Sequence, residues 1–175
     1  MLDGLYEKLS AYAQTDSYPF HMPGHKRNPE SGPLATFYRF DITEIDGFDN
    51  LHAASGVIRQ AQERAAKLYG SEETHFLING STGGILSAIA SVAGKGKLLL
   101  MARNCHKAVY HAAFLNRLNV RYLYPELLPE YDLAGAILPE TVRKAIILTL
   151  RERNVDPRKA AEVIAGIVVT SPTYD

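Results

Sequence analysis

The sequence predicts an α/β fold, part of a mostly parallel sheet flanked by helices and preceded by an irregular N-terminal arm. Three observations carry this reading. Apolar runs at 76–78, 97–101, 120–124 and 163–170 alternate with segments of helical periodicity, the order that parallel strands and their crossovers require. The runs KLLLM (97–101) and VIAGIVVT (163–170) read as buried strands. Residues 16–47 hold Pro19, Pro23, Gly24, Pro29, Gly32 and Pro33, which forbid any long regular element there.

Taken in order, residues 3–16 carry Leu5, Leu9, Ala11, Tyr12 and Ala13 at approximate helical spacing and predict one short helix. The proline-rich arm follows. After Ser55 and Gly56 a second helix is expected, with Val57, Ile58, Ala61, Ala65, Leu68 and Tyr69 on the apolar face, Arg59, Gln62, Glu63 and Lys67 opposite, and Gly70 as its stop. Phe76, Leu77 and Ile78 predict a short strand, broken by Asn79 and Gly80. Ile85, Leu86, Ala88, Ile89, Ala90 and Val92 then place apolar groups on nearly every side of a helix, so that helix is expected to be buried. A Gly94-Lys95-Gly96 turn leads to the strand at 97–101, a helix over 104–117 and a strand over 120–124. Residues 125–138 read as irregular, Pro139 and Glu140 start a helix reaching 153, and 163–170 is the last buried strand.

Parallel strands bind ligands at their carboxyl ends, so the turn after Asn79, the segment after Met101 and the segment after Thr170 are expected on one edge. At the first of these, Ser81 and Thr82 accompany the unpaired N–H groups of a helix start, and Gly83 and Gly84 lack side chains. The same residues admit two readings, a simple helix cap or a cradle for an anion such as phosphate. A nucleotide P-loop needs a lysine where Ile85 stands, and the Gly80, Gly83, Gly84 spacing misses the dinucleotide fingerprint.

Composition removes other classes of function. With 46% hydrophobic and 22% charged residues the chain is globular, and 175 residues suffice for a core. Nineteen basic residues balance nineteen acidic ones, so no overall field favours nucleic acid or an anionic membrane. One cysteine, Cys105, excludes an internal disulfide and fits a reducing compartment, and a cytoplasmic location is expected. No apolar run approaches the roughly 20 residues that span a bilayer. His21 and His25 have the separation of a helical metal pair, but Pro23 and Gly24 prevent that helix, so no metal site is expected and a rigid turn presenting His25, Lys26 and Arg27 is. His106 starts a helix just past a buried strand, where an imidazole either stacks on a planar cofactor or satisfies nearby backbone groups. Cys105 reads as structural, and Lys107 as an exposed lysine.

Five blocks then carry a resemblance: PFHMPGHKR (19–27), DITEIDGFDN (41–50), NGSTGG (79–84), NCHKAVYHA (104–112) and SPTY (171–174). Together, in this order, they resemble the ornithine/lysine/arginine decarboxylases, enzymes of the aspartate-aminotransferase fold (fold type I) that use pyridoxal phosphate. The resemblance runs from Tyr18 onward and is to the shorter version of the family, without a wing domain before the first block. It implies that Ser81, Thr82 and Gly83 hold the cofactor phosphate and that His106 stacks on the pyridine ring. The family's pyridine-pairing aspartate and Schiff-base lysine come after the SPTY block. Neither Asp175 nor Lys107 is expected to stand for them, so no catalytic residue is assigned here.

Because the chain ends directly after a buried strand, it is expected to be the amino-terminal part of a longer polypeptide, with residues 1–53 as helix and arm and 54–175 as an incomplete cofactor-binding major domain. By itself it is expected to be inactive. The resemblance implies a small basic amino acid as substrate, with lysine, ornithine and arginine undistinguished, and a homodimer or higher homo-oligomer with the arm at its interface. A stand-alone module for a phosphorylated ligand, or a non-catalytic partner subunit, is the alternative.

Overall fold

The computed structural model describes residues 4–30, 32–94 and 96–171. Lys95, in the expected turn, and residues 172–175, most of the SPTY block with Asp175, lie outside them. The chain divides into two compact units between Phe76 and Leu77.

In the first unit, helix α1 (Leu5–Ala13) is the short helix expected over 3–16. The arm that follows contains one further short helix, α2 (Ala35–Tyr38), and otherwise turns and extended chain. A segment without backbone ladders must satisfy its carbonyls in some other way, and here cationic side chains do so. The Arg27 guanidinium donates to Tyr12 O at 3.0 Å and to Ser17 O, and it lies 4.6 Å above the Tyr12 ring. Lys26 Nζ donates to His21 O at 2.5 Å. His25 stacks on Tyr38 at 4.1 Å; its Nδ1 accepts the Arg27 N–H at 3.1 Å, which leaves the ring proton on Nε2, 3.2 Å from Asp41 Oδ2. The backbone turns at 24–27 as expected, but the three basic side chains are half-buried and bonded within the unit, not presented outward. Phe20, Met22 and Phe37 do remain exposed.

Helix α3 (Val57–Tyr69) ends at Gly70, the expected stop, which takes the left-handed conformation (φ 67°). Its buried stripe is Val57, Gln62 and Ala66, whereas Leu68 and Tyr69 are 81% and 82% exposed, which corrects the expected apolar face. Helix α1 packs on α3, and the buried Gln62 beside the exposed Leu68 and Tyr69 shows that periodicity alone does not set the covered face. The start of α3 is closed from a distance. Asp49, seven residues before Gly56, accepts the N–H groups of Ser55 and Gly56 at 2.8 Å, Ile58 at 3.0 Å and Arg59 at 3.3 Å. Those N–H donors, Ser55 foremost, hold the Asp49 carboxyl well below the usual carboxylate range. A depressed folded-state value means that the contribution is present above the ordinary aspartate value of 3.8 and is lost as pH falls below it. Asp49→Asn is therefore expected to lower the melting temperature at pH 7 and to flatten its fall between pH 4 and pH 2, as read by thermal melts across that range.

The second unit is built on three parallel strands in the order β2 (Asn119–Leu123), β1 (Leu98–Ala102), β5 (Ile164–Val168). Helix α4 (Gly80–Val92) precedes β1, and α5 (Lys107–Leu115) joins β1 to β2. The path to β5 passes through the two-residue strands β3 (Leu127–Leu128) and β4 (Leu133–Ala134), helix α6 (Pro139–Arg153) and α7 (Ala160–Val163). The antiparallel β3–β4 pair is a small hairpin inside a stretch expected to be irregular.

The central strand explains the layers. All five β1 residues are buried, and successive side chains point to opposite faces. Leu99 and Met101 join Ile89 of α4 and Val109, Ala112 and Ala113 of α5. Leu98 and Leu100 join Leu123 of β2 and Ala145 of α6. Helices thus cover both faces, as the unbroken apolar run predicted.

Two expectations are corrected here. Residues 76–78 form no strand, and Leu77 and Ile78 are exposed. A strand needs a ladder partner, and among the described residues none pairs with this segment. Helix α4 is buried along one side only, through Ile89 with Ile85 and Leu86 packed beside it, while Ala88, Ala90 and Val92 are exposed.

Candidate active site

The carboxyl ends of the three strands define one edge. Helix α4 leads through a short turn into β1 and so runs antiparallel to it. In agreement, a Cβ on Gly166, which pairs with Leu99 near the start of β1, would lie 3.7 Å from Val92 at the end of α4. The amino-terminus of α4 therefore lies at the strands' carboxyl edge. Helix α5 starts there too, because it follows β1, and the two helices pack together. Ser81, Thr82, Gly83 and His106 are thus all placed at helix starts on the edge where the sequence expected them.

At α4, Gly80 enters the helix at φ 60°, a left-handed conformation that costs other residues about 1–2 kcal/mol. No side chain caps this helix. The Gly83 N–H donates to Asn79 O at 3.2 Å, the first intrahelical bond, so the N–H groups of Ser81 and Thr82 precede the ladder. Both side chains are exposed. The glycines serve a purpose other than open access: a Cβ on Gly84 would stand 2.6 Å from Leu77 Cδ1, and one on Gly83 would stand 3.1 Å from Asn79 Cβ. Their missing side chains admit the incoming chain at 77–79.

Comparison with the other helix starts singles this one out. Among the described helices of eight or more residues, α1 and α6 carry Glu7 and Glu140 in their first turns. Helix α3 is closed by the Asp49 carboxylate, and α5 by a ring nitrogen of His106. Only α4 has neither a side-chain cap nor an acidic first turn. Two hydroxyls, unladdered N–H donors and the positive end of the helix dipole suit a phosphate.

His106 is the N-cap of α5. Its Nδ1 accepts the Ala108 N–H at 3.2 Å, so in the neutral ring the proton sits on Nε2 and the ring orientation is fixed by the helix it caps. Before it, Cys105 is buried in the core and burial pushes its thiol up, which agrees with a structural cysteine. Lys107 is exposed. Asn104 Oδ1 is buried and accepts no hydrogen bond among the described residues; as an acceptor it suits a donor group on a ligand and not a phosphate oxygen. Sequence reasoning passed over Asp49, Arg103 and Tyr110. The first has no adjacent-cap signal, and the other two meet where β1 ends and α5 begins, a pairing that no local motif announces.

No helix among the described residues is long and apolar enough to cross a membrane. The uncharacterized protein YaaO of Bacillus subtilis (strain 168) is 38% identical over 97% of this chain, which spans 34% of its length. An arginine decarboxylase of Bacillus cereus is 31% identical over 97% of this chain, again with 36% of its own length covered. The chain thus spans about a third of the length of each of these two relatives. Among solved structures, the constitutive lysine decarboxylase of E. coli superposes with a TM-score of 0.74 at 24% identity, covering 98% of this chain and 25% of that one, a likeness of fold. A family model described as the major domain of Orn/Lys/Arg decarboxylases matches residues 3–175. This chain belongs to the Orn/Lys/Arg decarboxylase family.

Proposed function

We propose that this chain is the amino-terminal part of a pyridoxal-phosphate-dependent decarboxylase that converts a basic amino acid, lysine, ornithine or arginine, to its amine and carbon dioxide. The observation that carries this reading is the uncapped, acid-free start of α4 with Ser81 and Thr82, on the same sheet edge as His106. In this reading the N–H groups and hydroxyls of Ser81 and Thr82 anchor the cofactor phosphate, with Gly83 beside it. The His106 ring, oriented by the Ala108 N–H, would stack on the cofactor's pyridine. Bound there, the cofactor supplies a covalent attachment for the substrate amine and a sink for the electrons released with carbon dioxide. The residues that bond to the cofactor and pair with its ring nitrogen lie beyond Asp175. Residues 54–175 then form the first portion of the cofactor-binding domain. Residues 1–53 form an arm whose exposed Phe20, Met22 and Phe37 pack at a homodimer interface of this cytoplasmic enzyme.

Assaying the full-length protein, loaded with pyridoxal phosphate, against the three amino acids is expected to release carbon dioxide from at least one of them. Release from none defeats the proposal. Light scattering on the same preparation reads the oligomeric state, and a monomer removes the arm from any subunit interface.

A further inference from the structure

The loop between β1 and α5 is held more firmly than a four-residue connection requires, and the means is a reciprocal contact between Arg103 and Tyr110. The Tyr110 hydroxyl donates to Arg103 O at 2.6 Å and accepts from Arg103 Nη1 at 2.7 Å. The Arg103 N–H donates to Leu123 O at 2.9 Å, which extends the β1–β2 ladder by one residue. Residue 103 is thus bonded through its N–H, its carbonyl and its side chain. The guanidinium also lies over two rings, 5.7 Å from the centroid of Tyr110 and 5.4 Å from that of Tyr122 on β2.

This contact closes a ring of chain around His106. Tyr110 stands four residues after His106, one helical turn along the same face of α5. Arg103 stands three residues before it, at the end of β1. Fixing Tyr110 to Arg103 therefore fixes the start of α5 against the strand, and with it the imidazole that caps that helix through Ala108. The partners are exposed or half-buried, where a pair of this kind adds little to global stability. A phenylalanine at 110 would keep the packing and lose both hydrogen bonds, so the hydroxyl has a use that packing does not explain.

We propose that Arg103 and Tyr110 are positioning residues that hold the His106 ring in place for its contact with the cofactor. The proposal rests on the cofactor role given to His106 above. Tyr110→Phe is made in the full-length protein, alone and together with His106→Ala. Pyridoxal phosphate affinity is measured by absorbance titration, and amide hydrogen exchange at 104–109 is followed without cofactor. Loss of the clamp is expected to weaken cofactor binding about three- to tenfold in the His106 background, the worth of one or two net hydrogen bonds. In the His106→Ala background it should change nothing, because the effect passes through the missing ring. Exchange at Ala108 and Val109, whose N–H groups bond to His106, is expected to quicken about tenfold.

Equal losses in the two backgrounds would mark Tyr110 as merely structural and overturn the proposal. So would unchanged affinity where the unsubstituted protein binds cofactor, or unchanged exchange. If the unsubstituted protein binds no pyridoxal phosphate, the functional reading fails by itself and positioning for the cofactor falls with it, whereas quickened exchange then still reports that the clamp holds the ring.

Discussion

Thr82→Asp in the full-length protein is expected to weaken pyridoxal phosphate binding about a hundredfold. A carboxylate about 5 Å from a phosphate charge, at an effective dielectric of about 20, costs about 3 kcal/mol, and about 1.4 kcal/mol is tenfold in affinity. The sign of this prediction separates binding from folding. An aspartate in the first turn of a helix interacts favourably with the helix dipole, and α4 has no acidic residue there at present. The melting temperature should accordingly hold or rise while affinity falls. Absorbance titration with pyridoxal phosphate, set beside a thermal melt, checks both. Unchanged affinity would place the phosphate somewhere other than the start of α4.

Leu100→Ala is expected to destabilise the fold by about 2–5 kcal/mol, the range for truncating a buried leucine where the surroundings close only partly over the cavity. Leu100 is wholly buried on the central strand, against Leu98, Leu123 and Ala145, with Ile146 and Ile164 beside them. The strand's flanking pairings to β2 and β5 restrict how far the backbone can move to fill the space. Urea unfolding of the substituted and unsubstituted proteins measures the difference. A loss below about 0.5 kcal/mol, the level of an ordinary surface substitution, would mean that this face of β1 is not the core described above.

The sequence by itself determined those elements whose causes are local. Within the expected strand 97–101, residues 98–101 have no polar position to turn towards water, and β1 is covered on both faces as that run predicts. Gly70 stops α3 and Pro139 starts α6 because each residue's own backbone preference decides the matter. The glycine-flanked Ser81 and Thr82 read correctly as a helix start, because Asn79 and Gly80 break the chain just before a helix-forming run. The tertiary structure decided whatever depends on a neighbour distant in sequence. Residues 76–78 have strand composition and form no strand, since a ladder requires a partner. Periodicity gave α3 an apolar side, but Leu68 and Tyr69 on that side are exposed and Gln62 is buried, so packing selected the side that is covered. Asp49 closes α3 from seven residues before Gly56, where a search for adjacent caps does not look. Arg103 and Tyr110 meet only because a strand ends where a helix begins. Backbone preference is a property of one residue and its nearest neighbours, whereas burial, capping at a distance and side-chain pairing require two parts of the chain to arrive at the same place.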